Sequence, residues 1–224
     1  YSTQTYKHMN SGEGGLIVSD DPDLMAKAIL LSGSYMLYSR HRAAPPPEAF
    51  EAVKYLTPNV SGRMDNLRAA ILRPQLADLP RQCTRWNALY RVMQAGLAGT
   101  SGLVLIDRPE AETFVASSFQ FRLPDWPAGK VRALLFRAAR RGVELKWFGA
   151  AEPVGFTSCH DSWRYAPAQS LPVTDRILAG LIDMRLPLTF SEDDVALIAR
   201  IVHEEVSAVF QTGEELAGAG PGSD

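Results

Sequence analysis

The residues with the widest chemical scope lie at the start of the chain, in Y-S-T-Q-T-Y-K-H-M-N-S-G-E-G-G. Lys7 carries a primary amine among hydroxyl and amide side chains, just ahead of the apolar run Leu16-Ile17-Val18. Taken alone, a lysine reads as a solvated surface amine. Its neighbours shift that reading. Gly12, Gly14 and Gly15 permit positive φ and a close approach of backbone to a ligand. An ordinary turn uses glycine in the same way, so the cluster by itself does not define a site. G-E-G-G has the spacing of neither a dinucleotide-binding glycine motif nor a P-loop.

A second candidate region spans Lys146-Trp147-Phe148-Gly149 and Cys159-His160-Asp161-Ser162-Trp163-Arg164-Tyr165. Aromatic rings with Arg and His could close over a substrate and grip its hydroxyls or carboxylate. Trp147, His160 and Arg164 are the candidates. The plainer reading, which we favour, is an aromatic loop that packs a small domain. Cys159 and His160 are sequence neighbours, whose side chains do not generally face each other. A nucleophile–base pair is therefore discounted. His8, His41 and His203 have no partners at metal-ligand spacing, and no C-x-x-C occurs, so no metal site is expected. His203 reads as a surface residue of an amphipathic helix.

The elements that must position these residues follow from periodicity and punctuation. Residues 16–18 predict a short buried strand. Asp20-Asp21-Pro22 is a helix start for 23–31, and Gly33 is its stop. The long connection 34–62 holds Pro45-Pro46-Pro47 and a short helix near 48–55; such a length is usually functional or disordered. Residues 64–98 carry the strongest helical pattern, with Pro74 and Pro80 expected to kink or interrupt it. Strands are expected at 103–106, 116–123, 143–147 and 183–188, and helices at 128–141, 174–181 and 192–210. Strands alternating with helices mean an α/β layer architecture. The tail from 213 is too polar and Gly-rich to bury anything and is expected to be disordered.

Composition sets the outer bounds. The chain has 224 residues, 46% hydrophobic and 21% charged, enough for a substantial core. Lys plus Arg is 23 against 25 Asp plus Glu, a net charge of −2, which argues against nucleic acid as the main partner. A local cationic pocket for one small anion remains compatible. No apolar run is long enough to span a bilayer, and the polar start is no signal peptide. Two cysteines suit a reducing cytoplasm.

Three ordered segments carry a family resemblance. S-x-Q-x-x-K-x-x-x-x-G-E-G-G, then an apolar strand and an acidic pair, resembles the cofactor-lysine segment of the DegT/StrS-type aminotransferases. Arg63-Met64-Asp65-Asn66-Leu67-Arg68-Ala69-Ala70, continuing to Gln75-Leu76, resembles that family's R-M-x-x-x-x-A-A…Q-L helix start. Leu171-Pro172-Val173, then Leu186-Pro187-Leu188-Thr189 with Ser191-Glu192-Asp193-Asp194, resembles its closing pattern. These are fold-type-I enzymes that use pyridoxal phosphate to aminate keto sugars and keto cyclitols.

The resemblance implies roles for particular residues. Lys7 would form the internal aldimine and then shuttle a proton between substrate and cofactor; a primary amine makes an exchangeable imine and can act as a base. Ser2 matches the serine that hydrogen-bonds the cofactor phosphate. Gln4 matches a variant with Gln between serine and lysine, although a plain loop amide is an equal reading. The family usually shows N-x-R-M, its Asn reaching the cofactor phosphate of the other subunit. Here Ser61 stands at that position in P-N-V-S-G-R-M. Either Ser61 substitutes, or Asn59 reaches in with a shifted loop. A reach across subunits would make the site, and Arg63 beside it, part of a dimer interface.

The resemblance also implies that the Asp, aromatic and phosphate turn that hold the cofactor ring lie upstream of the lysine. The chain is therefore expected to be a C-terminal portion of the fold. The expected organisation is 1–62 for the end of the large α/β domain, 63–98 for a linking helix, 99–211 for a small α/β domain and 212–224 for the tail. Without its sheet partners, the strand at 16–18 would present an open edge. The expected activity is cytoplasmic transamination from glutamate or glutamine to a keto sugar, often nucleotide-linked, or a keto cyclitol, by a homodimer. The alternative is a non-catalytic homologue with a regulatory or interaction role. A third relative, a sugar dehydratase, is expected to carry His where Lys7 stands.

Overall fold

The computed structural model describes residues 1–152 and 160–218, with side chains up to position 212. Cys159 lies outside the described residues, as do positions 219–224. The chain divides into two compact units, Tyr1–Pro80 and Arg81–Asp224.

In the first unit, helix α1 (Pro22–Leu31) begins where the sequence signals it. The Asp21 carboxylate accepts the backbone N–H groups of Asp23 and Leu24, two of the donors a helix start leaves unpaired. Gly33, at φ 103°, ends the run in a conformation that Gly adopts without strain. α1 buries Ala26, Ile29 and Leu30 against Phe50 and Val53. Phe50 lies on α2 (Pro47–Glu51), shorter than the 48–55 expectation. Tyr38 packs on the Phe50 ring at 4.6 Å between centroids. The connection 34–62 is thus largely ordered around a small apolar cluster.

The expected strand at 16–18 does not form. Only an isolated bridge pairs Ser2 with Gly15, and Ile17 and Val18 are 69% and 75% exposed. Within the first unit, no described strand offers these residues a ladder to join.

Helix α3 (Asn66–Leu97) continues through both Pro74 and Pro80, and the unit boundary falls inside it. The prolines remove two helix donors but do not end the helix. Its second half contributes Leu89, Tyr90, Met93 and Leu97 to the core of the second unit.

That core is built on a sheet of β1 (Val104–Leu105), β2 (Ser118–Arg122), β3 (Lys146–Trp147) and β4 (Leu181–Arg185). The spatial order is β1-β2-β4-β3, with every pairing antiparallel. Phe119 and Phe121 of β2 and Ile182 and Met184 of β4 are buried. They pack with α4 (Ala128–Arg140) through Val131 and Leu134, and with α6 (Glu192–Gly218) through Val195 and Val202. Each such side chain contributes about 1.5–3 kcal/mol of burial. α5 (Pro172–Ala179) leads directly into β4. α6 runs to Gly218, past the expected end at 210. Glu205 on α6 is held by Arg137 and Arg141 on the α4 side. Burial alone would raise the Glu205 pKa, but hydrogen bonds from the two guanidiniums outweigh it and lower the pKa.

Candidate active site

The segment around Lys7 is a two-limbed loop held by its own backbone. Leu16 N–H donates to the Tyr1 carbonyl at 2.8 Å, Thr3 N–H to Gly14 at 2.9 Å and Thr5 N–H to Gly12 at 2.9 Å. At the tip, Lys7 N–H donates to the Gln4 carbonyl at 3.2 Å, closing a tight turn with Tyr6 at φ 73°. A non-glycine residue in that region carries strain, which functional turns often store. The amine therefore sits at the end of a built turn, and Lys7 is exposed.

The glycines are explained by what a side chain would meet. A Cβ at Gly15 would lie 2.9 Å from the Tyr1 carbonyl oxygen. One at Gly14 would lie 2.9 Å from Thr3 Oγ1 and 3.2 Å from Met64 Cε, and Gly14 is at φ 128°. Gly14 and Gly15 are thus close-approach positions, with Glu13 adding a brace: its carboxylate accepts the Gln4 side-chain amide at 3.1 Å. Thr3 is 1% exposed, and among the described residues its hydroxyl has no hydrogen-bond partner. Sequence reasoning did not single out Thr3; its burial beside Gly14 is a tertiary fact. Ser2 is exposed, and its hydroxyl accepts from Gln4 N–H at 3.4 Å.

The R-M segment meets this loop. Glu13, Gly14 and Gly15 line a small hollow of about 160 Å³ with Gly62, Arg63 and Met64. Arg63 also lines a larger open hollow of about 690 Å³ with Asn59, Ser61, Gly33 and Ser34. Val60 N–H donates to the Leu31 carbonyl at 3.0 Å, which holds residues 59–61 against the end of α1. Gly33 permits this contact, because its Cβ would lie 3.2 Å from Asn59 Oδ1. Asn59 Oδ1 accepts the Ser61 N–H at 2.9 Å, so this carboxamide oxygen braces the loop. Ser61 sits at φ 51°. Asp65 caps α3: its carboxylate accepts Arg68 N–H and pairs with the Arg68 guanidinium. That backbone hydrogen bond, with the guanidinium beside it, holds Asp65 below the usual carboxylate range. The larger hollow offers hydroxyls, amides and the Arg63 cation, with the Asp65 carboxylate also on its wall, so neutral donors rather than a surplus of positive charge would meet a ligand there.

Trp147, His160 and Arg164 lie in the second unit. Trp147 is buried, and its indole N–H donates to the Ala179 carbonyl at 2.9 Å, an arrangement that serves packing. His160 Nε2 lies 2.7 Å from Asp175 Oδ1, and Nδ1 lies 3.1 Å from Asp161. Arg164 is exposed between Trp163 and Tyr165, whose rings stack at 5.8 Å. His203 is exposed, as expected, and Nδ1 contacts Thr100 Oγ1 at 2.8 Å. Among the described residues, no group of three metal-ligating side chains occurs, and no helix is long and apolar enough to cross a membrane.

The model of the DegT/DnrJ/EryC1/StrS aminotransferase family matches residues 1–203. The chain belongs to this family. Among solved structures, it is similar to the aminotransferase TlmJ from Streptoalloteichus hindustanus at 21% identity and TM-score 0.69, covering 95% of this chain and 52% of that one. It is similar to 3-amino-5-hydroxybenzoic acid synthase at 22% identity and TM-score 0.66, covering 92% and 53%. It is also similar to DesI, solved in the presence of its TDP-sugar product, at 19% identity and TM-score 0.69, covering 96% and 51%. The chain therefore spans about half the length of these relatives, and the likeness establishes an α/β fold shared with part of each. No curated protein gives a significant match.

Proposed function

We propose that this chain carries the lysine-bearing part of a pyridoxal-phosphate aminotransferase that moves an amino group from glutamate or glutamine to a keto sugar or keto cyclitol. The observation that carries the reading is the Lys7 turn, whose returning limb passes through Gly14 and Gly15, where a Cβ has no room and which share a hollow with Arg63 and Met64. Family membership supports it. The residues present fit the cofactor. An exposed primary amine ends a tight turn, and the buried Thr3 hydroxyl lacks a partner among the described residues.

Bound pyridoxal phosphate would supply an electron sink next to the substrate carbon. Lys7 would anchor it and, once released, move the proton. Ser2 would donate its hydroxyl to the phosphate, while Gln4, tied to Glu13, would hold the turn. Ser61 and Arg63 would donate to a ligand in the larger hollow, with Asn59 bracing the loop from behind. A homodimer would bring this hollow to a partner's lysine. The sparse cysteines support a cytoplasmic setting.

Borohydride reduction in the presence of pyridoxal phosphate, followed by peptide mapping, tests the reading. The label is expected on Lys7, and a label elsewhere removes the mechanism. The departure at Ser61 favours one rival, a homologue without turnover, which predicts a colourless protein that takes up no cofactor.

A further inference from the structure

Among the described residues, three that are not glycine hold a positive φ: Tyr6 at 73°, Ser61 at 51° and Asp125 at 60°. An L-residue is crowded in this left-handed region, and a bulky one is rare there. Two of the three stand on the two loops of the candidate site. Tyr6 directly precedes Lys7, and Ser61 shares its loop with Arg63. Strained backbone persists where the surrounding structure imposes it, and it gathers at functional sites.

Tyr6 is the sharper case. Lys7 N–H donates to the Gln4 carbonyl at 3.2 Å, and φ is positive at Tyr6 but not at Thr5. That is the sign pattern of a type II turn, whose third residue is ordinarily Gly or Asn. The same loop uses glycine at positive φ at Gly12 and Gly14. Here a tyrosine fills the position instead, and its ring, 82% exposed, gains little burial to offset the crowding.

The neighbouring bonds show what residue 6 controls. The incoming limb is held as far as Thr5, whose N–H and hydroxyl both donate to the Gly12 carbonyl, at 2.9 and 3.2 Å. The outgoing limb is held from Asn10, whose N–H and carbonyl are both taken by Gln75. Lys7 lies between these anchors, and the Tyr6 dihedrals set the direction in which the chain enters it. Glycine would occupy the turn without crowding but would roam over a wide range of φ and ψ. A residue with a Cβ has only the small left-handed basin. Position 6 thus gives up stability for a narrow aim.

We propose that Tyr6 is a positioning residue for Lys7, acting through its Cβ and backbone and not through its ring, so that the turn presents the lysine in one direction before any ligand arrives. This deepens the reading of Lys7 given above and rests on it. The order of the turn is measured without cofactor, so the two can fail separately.

The test compares Tyr6→Gly, Tyr6→Ala, Tyr6→Asn and Asp125→Gly in the full chain. The readouts are the backbone ¹⁵N order parameter of Lys7, the rate at which borohydride traps pyridoxal phosphate on Lys7, and Tm. In Tyr6→Gly the order parameter should drop from the rigid range, about 0.85, to below about 0.6. Trapping should slow at least about tenfold, because the amine is no longer aimed. Tm should hold or rise by up to about 4 °C, because the crowding is gone. Tyr6→Ala and Tyr6→Asn keep a Cβ and should retain both the order and the trapping rate. Asp125→Gly relieves the same kind of crowding in the second unit and should leave both Lys7 readouts unchanged. An ordered Lys7 in Tyr6→Gly, or a lower Tm there, would overturn the proposal. Losses in Tyr6→Ala as large as those in Tyr6→Gly would also overturn it, by assigning the effect to the ring. Trapping at another lysine of the parent chain would remove the cofactor role, and with it the use of the device, whatever the order parameters show.

Discussion

Gln75 of α3 and Asn10 of the Lys7 loop exchange two hydrogen bonds. Asn10 N–H donates to Gln75 Oε1 at 2.9 Å, and Gln75 Nε2 donates to the Asn10 carbonyl at 2.8 Å. One carboxamide thereby satisfies both backbone groups of a residue three places after the lysine. The same Nε2 also reaches the Ile71 carbonyl at 3.0 Å, which fixes the side chain along its own helix. A primary amide mimics the edge of a strand, and no other side chain of that length offers both a donor and an acceptor.

Removing the clamp should loosen the lysine loop without unfolding the unit. Gln75→Leu leaves both Asn10 groups to water or to nothing, at a cost of about 1–3 kcal/mol. Gln75→Glu keeps the acceptor, loses the donor, and should cost about half as much. Amide exchange at Asn10, read by NMR, should accelerate in the order wild type, Glu, Leu. Equal exchange rates in all three would mean that the tip is held by something else.

Gly14 should resist even the smallest side chain. Gly14→Ala places a methyl 2.9 Å from the buried Thr3 hydroxyl at a φ of 128°, so contact and backbone strain act together. A loss of about 1–3 kcal/mol is expected from the backbone alone. Gly12, also at positive φ but with nothing within 4 Å of its added Cβ, isolates the backbone part. Denaturant melts of Gly12→Ala and Gly14→Ala separate the two contributions, and Gly14→Ala should be the more damaging.

Lys7 should tolerate no substitute. Lys7→Ala removes the amine, and Lys7→Arg keeps the charge but replaces the amine with a guanidinium that does not form an imine. Both should abolish transamination and the absorbance of bound cofactor, while thermal unfolding stays near that of the parent, because the side chain is exposed. Retained turnover in Lys7→Arg would assign the chemistry elsewhere.

Much of this was legible in the residues, for reasons that can be named. Asp21-Pro22 and Gly33 bound α1 because capping is local chemistry. Gly14 and Gly15 allow the close approach the sequence suggested, because only glycine lacks the Cβ that would collide there. The apolar run 16–18 misled because three apolar residues specify a strand only if a partner lies alongside. Pro74 and Pro80 were expected to kink or interrupt the helix, and α3 runs through both without ending, because packing can override a missing donor. Thr3 could not be found from spacing. What distinguishes it is the lack of a partner among the described residues once it is buried, and burial is set by distant segments.

His160 should titrate above its ordinary value. Its hydrogen bond to Asp175 raises the pKa above 6.5; desolvation opposes the shift, and the Asp161 and Asp175 charges reinforce it. The folded pKa is raised, so the imidazolium contributes its stabilisation in full below about pH 6.5. That contribution is lost as pH climbs through the higher folded value. The pair is partly exposed, so the effect should be local and weaker at high salt. The readout is therefore the loop: protection of the amides of residues 160–165, taken relative to their intrinsic base-catalysed exchange, should fall as pH rises above 6.5, and an NMR titration of the imidazole should show the raised midpoint. Asp175→Asn should return the midpoint towards 6.5 and remove most of the pH dependence. A midpoint unmoved by that substitution would transfer the shift to Asp161, whose carboxylate faces the other ring nitrogen.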